Sequence, residues 1–421
     1  MIEFYGRQAT LVLTWITFSM ENISTMPLFA ARIFKLLPAI FRDKHKRAFT
    51  WMTLLIALGV ANYKLKGMAS YGPSYLKEYR FRRFLTAAYW NWHVILIVLS
   101  HAIINILPPP EDSTVYVICD GSKKDKRGFK HPFNQKGKMK ANQNWFWGTR
   151  FVVLMLQWGN FRIPIDMEIL YPKTHKKYVK ENALFRKMLG RLELPSWTKR
   201  SIILADAGFA AKDNVEAINT FANRLYQQNN ITCGFVFSVP KTWRLSDGKS
   251  LKDLAKHTPH RYYQRVKFSS ITESRTKSYW MFTKQIKLRH IGDVTVVLSK
   301  KRRNAGPRNV KVIVTNLSNL TARQVAGIYQ RRFMIEVLFK ELKSGLGLGK
   351  QQVTKNDIRV KNSFGMSVIA YLFILRAQYQ DIQPGKSWSI FKLQENLRLR
   401  VMKEQIKSDR SYFLKKLKKA A

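Results

Sequence analysis

The sequence predicts an α/β core interrupted by a mostly β insertion, with a helical region before it and a helical tail after it. Three observations predict this. Residues 114–239 alternate strand-like runs and helical spacing in the order β-β-β-α-β-α-β. A second strand-rich stretch, 240–318, delays the next helix, at 319–343. The chain has 421 residues, 46% of them hydrophobic, which suffices for a substantial core and roughly two to four structural units.

The first hundred or so residues are apolar, aromatic and basic, with a helical look. Residues 84–110 carry no Asp, Glu, Lys or Arg and are long enough to span a bilayer by length alone. Asn91, His93, Ser100, His101 and Asn105 interrupt that stretch, so buried helices of an all-α domain are expected and no membrane partner is assigned. No basic segment followed by an apolar core and a small-residue cleavage site opens the sequence, so a secretory signal is not expected. Pro108-Pro109-Pro110 and then Glu111-Asp112 break the helical pattern.

Beyond that break, TVYVIC (114–119) is a β-rich run ending at Asp120-Gly121-Ser122. Two further strands, 145–156 and 162–171, turn at Trp158-Gly159-Asn160 and complete a three-stranded meander. Residues 178–194 have helical spacing, and SIILA (201–205) is a short buried strand ending at Asp206-Ala207-Gly208. A helix at 211–228 and a strand at 233–239 follow. The insertion contributes strand-like runs at 278–288, 293–298 and 310–315. Residues 360–380 form another apolar helix, and 387–421 a basic helical tail.

Seventy-four Lys and Arg against 26 Asp and Glu leave a formal charge of +48, spread along the whole chain. Such an excess suits a polyanion, because each neutralised phosphate releases counterions. The two cysteines, Cys119 and Cys233, lie far apart in apolar runs and are expected as buried thiols in a reducing compartment. No Cys/His cluster, HExxH or Ser/His/Asp signature is present, so any metal site must use carboxylates. GLGLGK (345–350) has neither phosphate-loop spacing and reads as a flexible helix exit.

The helix at 319–343 opens with a possible capping box, Thr321 and Gln324, contains no Pro, and has Gly345 near its expected end, so it reads as one long helix. At about 100° per residue, Tyr329, Arg332, Glu336 and Lys343 share a stripe roughly 60° wide beside the apolar Ile328, Ile335, Phe339 and Leu342. Acidic residues are scarce, so their placement is informative. Asp120 ends the first strand, Asp206 the fourth, and Glu336 lies beside the buried face of the late helix. Sites in open α/β sheets assemble at the carboxyl ends of strands. Three converging carboxylates raise one another's pKa unless cations intervene, and oxygen ligands suit Mg²⁺ or Mn²⁺, two of which can act on a phosphodiester. Lys123, Lys124, Lys126 and Arg127 follow Asp120 directly and would hold DNA.

The spacing Tyr329-x2-Arg332-x3-Glu336-x6-Lys343 resembles the Y-R-E-K signature of bacterial insertion-sequence DDE transposases of the insertion-sequence-four family. Asp120 in DGS and Asp206 in DAGF are similar to the two aspartates that precede it there, and the resemblance covers roughly residues 115–376. One departure is Phe333, where many relatives carry Trp. The resemblance implies a ribonuclease-H-like core and a catalytic, metal-binding triad of Asp120, Asp206 and Glu336 served by Mg²⁺ or Mn²⁺, as two ions. It further implies that Tyr329, Arg332 and Lys343 contact phosphates of a transposon end; Trp243 and Trp280 are candidates for an insertion aromatic at a flipped base, but the motif places neither. The expected domains are 1–110 (helical, DNA-binding), 111–240 (core, first part), 241–317 (β insertion), 318–383 (core, second part, with the catalytic helix) and 384–421 (basic, helical). The expected activity is cleavage at terminal inverted repeats and joining of the 3′-hydroxyl ends to target DNA, by a homodimer on double-stranded DNA in the prokaryotic cytoplasm, at the nucleoid. The competing readings are a domesticated, non-catalytic DNA-binding derivative, a plain metal-dependent nuclease and a membrane protein.

Overall fold

The computed structural model describes residues 25–37, 43–87, 90–126, 131–138, 145–269, 276–350, 354–382 and 387–420. They form two compact units. One holds the described residues up to Pro108, those from Lys124 to Thr149 and those from Phe339 onward; the other holds Pro109–Lys123 and the described residues of Arg150–Leu338.

The second unit is built on a mixed sheet. Its strands are β1 (Thr114–Asp125), which continues into the first unit for its last two residues, the distal half of β3 (Trp145–Trp158), β4 (Phe161–Leu170), β5 (Arg200–Ala205), β6 (Thr232–Ser238), β7 (Gln264–Ser269), β8 (Thr276–Leu288), β9 (Gly292–Lys300) and β10 (Lys311–Thr315). β4 pairs with β3, and from β3 the order runs β1-β5-β6-β10-β9-β8-β7. β1 is parallel to β5, in register from Thr114↔Arg200 to Ile118↔Leu204, and β5 is parallel to β6. β3 and β4 are antiparallel, which gives the ribonuclease-H-like sheet expected from the resemblance. β5 is buried along nearly its whole length, as befits a central parallel strand with both faces covered. Pro164 cannot donate to the ladder, and the register shifts beside it, between Leu154 and Met155.

The insertion joins this sheet. β10 pairs antiparallel with β6, and β9, β8 and β7 extend it outward by antiparallel pairing. Helices α6 (Glu181–Gly190) and α7 (Lys212–Asn229) pack on each other, α6 also against β4 and α7 against β6. Helix α8 (Leu251–His257) lies in the insertion. Strand β7 and α8 are additions to the expected order. Cys119 is buried and Cys233 only half-buried; both are free, and burial pushes the Cys233 thiol up to about 12.

The helix expected at 319–343 is not continuous. The capping box forms as expected, with Thr321 and Gln324 exchanging bonds, and opens α9 (Ala322–Gln330). A 3₁₀ turn (Arg331–Phe333) follows, then α10 (Met334–Lys340) and a π turn (Glu341–Gly345). α9 packs against β6, β10, β7 and β8, and the 3₁₀ turn touches β5.

The first unit is mostly helical: α1 (Leu28–Lys35), α2 (Asp43–Ala57), α3 (Leu65–Tyr71), α4 (Glu78–Ala87), α5 (Trp92–Ile104), α11 (Asp357–Ala377) and α12 (Ile390–Ala420). α11 is its centre, packed by α1, α2, α4, α5 and α12. It is apolar all round because neighbours cover it on every side. α11 is the one described helix long and apolar enough to cross a membrane, and 83% of that apolar window is buried inside the protein. In the charge-free stretch 84–110, α5 has 13 residues, about 20 Å, short of the ~30 Å of a bilayer core. A short strand with no apolar alternation, β2 (Asn134–Lys138), pairs with Trp145–Thr149.

Buried polar groups pin this unit. Glu341 accepts from Tyr371 Oη at 3.2 Å and from the Ile390 N–H at 3.1 Å, so a buried carboxylate caps the start of α12. The GLGLGK segment is clamped rather than free: Tyr63 donates to Gly345 O and lies against Gly347, while Lys126 Nζ donates to Gly349 O at 3.1 Å. Gly347 and Gly349 take φ of +65° and +73°, the left-handed region that favours glycine. Gly365 of α11 lets the Trp92 ring approach so closely that a Cβ would stand 2.7 Å from it. Gly365→Val is therefore expected to destabilise the protein by about 2 kcal/mol or more, measured by denaturant unfolding; unchanged stability would contradict this packing.

Candidate active site

Asp120, Asp206 and Glu336 all lie in the second unit, near enough for Asp206 and Glu336 to act on Asp120 by their charge. Asp206 follows the last residue of β5, and Asp120 lies two residues beyond the last β1–β5 pair, so both stand at the carboxyl ends of the parallel pair. Strand β1 itself runs on to Asp125, so Asp120 lies within the strand rather than at its end. The 3₁₀ turn carries Arg332 over β5, and the next turn carries Glu336.

Arg332 ties the site together. Its Nη1 lies 2.7 Å from Asp120 Oδ2 and its Nη2 lies 2.7 Å from Glu336 Oε1, so one guanidinium bridges a strand acid and the helix acid. The Arg332 side chain is 9% exposed and that of Asp120 15%, whereas Glu336 is 52% exposed. Asp120 is pushed up to about 6, first by burial and, against the pull of Arg332, by the negative charges of Asp206 and Glu336. Two glycine N–H groups orient the aspartates. Asp120 Oδ1 accepts from Gly121 N and Asp206 Oδ1 from Gly208 N, each at 2.8 Å. Asp206 Oδ2 makes no hydrogen bond among the described residues.

The donor set fits a hard divalent cation: three carboxylates, held close enough to raise one pKa, are neutralised only partly by one guanidinium. Asp120, Asp206 and Glu336 would be its ligands.

Around this cluster lies a cationic and aromatic support. Tyr329 is buried, with Ser238 and Arg332 beside its phenol; burial is the main cause of its raised pKa. The Arg332 guanidinium lies 4.9 Å from the Phe333 ring centroid, so an aromatic contact survives at the position where relatives carry Trp. Lys311, at the start of β10, was not singled out by the sequence. Its Nζ stands 4.5 Å from the centre of the Tyr329 ring. Although the residue is exposed overall, its ammonium is shifted down, by crowding of protein atoms and then by Arg332, while Asp206 and Glu336 act in the opposite sense. No motif marks Lys311; it stands at the first position of β10, the strand that precedes α9. Beside Asp120, Gly121 faces the Glu181 carboxylate, which pairs with Arg150 at 2.6 Å.

Other expected residues fall elsewhere. Lys343 belongs to the first unit, on the π turn, with its Nζ 5.6 Å from the Phe339 ring centre. Lys124 and Lys126 belong to that unit too and pack against Gly349, Lys124 through its aliphatic stem. Lys123 is in the second unit, and Arg127 lies outside the described residues. On β8, Trp280 carries the Arg303 guanidinium 5.3 Å from its ring centre.

Two aspartates beside the parallel strands of a ribonuclease-H-like sheet and a glutamate on the late helix thus lie within electrostatic range of one another. The chain belongs to the transposase DDE domain family, whose description matches residues 112–373, more than half of its length. Among solved structures it is similar to a piggyBac transposase determined by cryo-EM as a synaptic complex with hairpin DNA. That similarity has 12% identity and a TM-score of 0.47, and covers 90% of this chain and 77% of the other. No curated protein matches the sequence.

Arg332→Gln removes both ion pairs and leaves Asp120 buried without its cation. In metal-free buffer it should destabilise the protein by about 3 kcal/mol, and Mg²⁺ should recover part of that by binding the folded state. Denaturant titrations with chelator and with Mg²⁺ measure this; equal stability of variant and parent in chelator would refute the bridge.

Proposed function

We propose that the chain is a DNA transposase of the insertion-sequence-four kind, which cleaves phosphodiester bonds at the terminal inverted repeats of its element and joins the freed 3′-hydroxyl ends to target DNA. The observation that carries this reading is the bridge from Asp120 through Arg332 to Glu336, with Asp206 beside it. It unites three of the motif positions that the Y-R-E-K and aspartate pattern singled out.

Asp120, Asp206 and Glu336 would hold Mg²⁺ or Mn²⁺. When bound, two such ions would activate the attacking water or hydroxyl and neutralise charge on the leaving oxygen. The protein's own groups do the rest. One oxygen of each aspartate is held by a glycine N–H, which fixes the orientation of the carboxylate. Arg332, freed from the carboxylates once their charge is met otherwise, offers a forked donor pair to a phosphate. Tyr329 backs that guanidinium, and Lys311 adds a further positive charge beside it.

The basic residues Lys123, Lys124, Lys126 and Lys343 would bind DNA phosphates, and the N-terminal helical region and the β insertion would hold the element's ends. The C-terminal helix would serve assembly, because joining two ends requires at least a dimer on DNA. The setting would be the prokaryotic cytoplasm, at the nucleoid. A plain nuclease would use the same triad, and only a strand-transfer product separates the two.

Purified protein, Mg²⁺ and DNA carrying the element's ends provide the test. Glu336→Gln should keep DNA binding and lose cleavage by at least a hundredfold, on the order of an essential catalytic group; cleavage at the parent rate would sink the assignment. Lys343→Ala should weaken end binding and make the slope of log K against log salt shallower by about 1, whereas an unchanged slope would exclude a phosphate contact.

A further inference from the structure

Away from the carboxylates, the first unit carries a second concentration of positive charge. A cleft of about 380 Å³ is lined by Arg32 of α1, Arg376 of α11 and Arg400 of α12, together with Phe29, Tyr379 and Gln380. Three guanidiniums from three helices therefore face one space.

None of the three is engaged in an ion pair among the described residues. The nearby acid Asp381 is instead bonded to Asn396 at 3.1 Å. The Arg376 side chain is half-buried in the cleft wall, and its Nε makes no hydrogen bond within the protein. Two of the guanidiniums are also held in place. Arg400 lies 4.2 Å from the Phe29 ring centre and donates from Nη1 to Ala377 O at 2.7 Å, and Arg376 lies 5.5 Å from the ring centre of Tyr379. Stacked arginines lose little freedom on binding, and their forked donors match phosphate oxygens.

We propose that this cleft is a second nucleic-acid site, separate from the carboxylate triad, that takes the sugar-phosphate backbone of a DNA strand. The volume exceeds what a lone phosphate fills and suits two successive phosphates with the sugar between them. Arg32 and Arg400 are exposed, so they can meet the strand at the mouth, while Arg376 supplies the deeper donor. Tyr379 and Gln380 offer polar contacts without reading bases, so binding is independent of sequence. The overall charge of +48 favours DNA as the source of the phosphate. The proposal rests on the transposase reading for its ligand, though not for its geometry.

The test uses the full chain and a duplex of unrelated sequence, followed by fluorescence anisotropy over a range of salt concentrations. Arg32→Gln alters an exposed side chain and should leave folding intact; it should make the salt slope shallower by about 1, and Arg32→Gln/Arg400→Gln by up to about 2. The loss should be the same for any sequence. Unchanged slopes in both variants, with melting temperatures equal to the parent's, would overturn the proposal. So would inorganic pyrophosphate binding that the double variant abolishes while its DNA slope stays at the parent value, because the cleft would then serve a small phosphate. Intact end cleavage with unchanged slopes would remove only this cleft, whereas failure of the parent protein to bind any DNA would remove the transposase reading as well.

Discussion

The structure turns on the mutual repulsion of three carboxylates brought to one place. Parallel pairing of β1 with β5 carries Asp120, within β1, and Asp206, just past β5, to the same end of the parallel pair, and the late helix adds Glu336. Burial and the neighbouring charges then raise Asp120 well above the ordinary carboxylate range. Arg332 meets part of this repulsion by spanning Asp120 and Glu336, and the rings of Tyr329 and Phe333 lie near its guanidinium. The tightened turn at Arg331–Phe333 is the local device: it breaks the α-helical winding just where Arg332 must reach the strand and Glu336 must follow it.

Much of this was legible in the chain. Alternation and short apolar runs gave the strand order of the core, and the Thr321 and Gln324 pair marked the helix start correctly. The acids stood out in the sequence because they are rare; Asp206 does follow its strand, whereas Asp120 lies inside β1, whose polar continuation past Cys119 has no apolar signal. The 3₁₀ and π turns were not legible, because a shift from i→i+4 to i→i+3 or i→i+5 bonding leaves the apolar spacing almost unchanged. Strand β2 was missed for a different reason: Asn-Gln-Lys-Gly-Lys has no apolar face, and it is a strand only because its backbone finds β3.

Tertiary placement decided the remaining residues. Lys311 is one lysine among many in the sequence, and it matters because β10 pairs with β6 and runs beside α9. Arg332 was read as a phosphate contact from the motif, but its pairing with both acids depends on a geometry no spacing encodes. The glycine-rich segment after the helix looked free because glycine usually signals freedom. Here positive φ angles and a close tyrosine explain its glycines instead.

The central claim is that Asp120, Asp206 and Glu336 form a divalent-cation site that Arg332 fills in the cation's absence. Anomalous diffraction from crystals soaked in Mn²⁺ tests it most directly. The account predicts manganese peaks within coordination distance of all three carboxylates, with the Arg332 guanidinium displaced from Asp120 and Glu336. Crystals saturated with Mn²⁺ that show no peak at these carboxylates, with the Arg332 bridge intact, would contradict it.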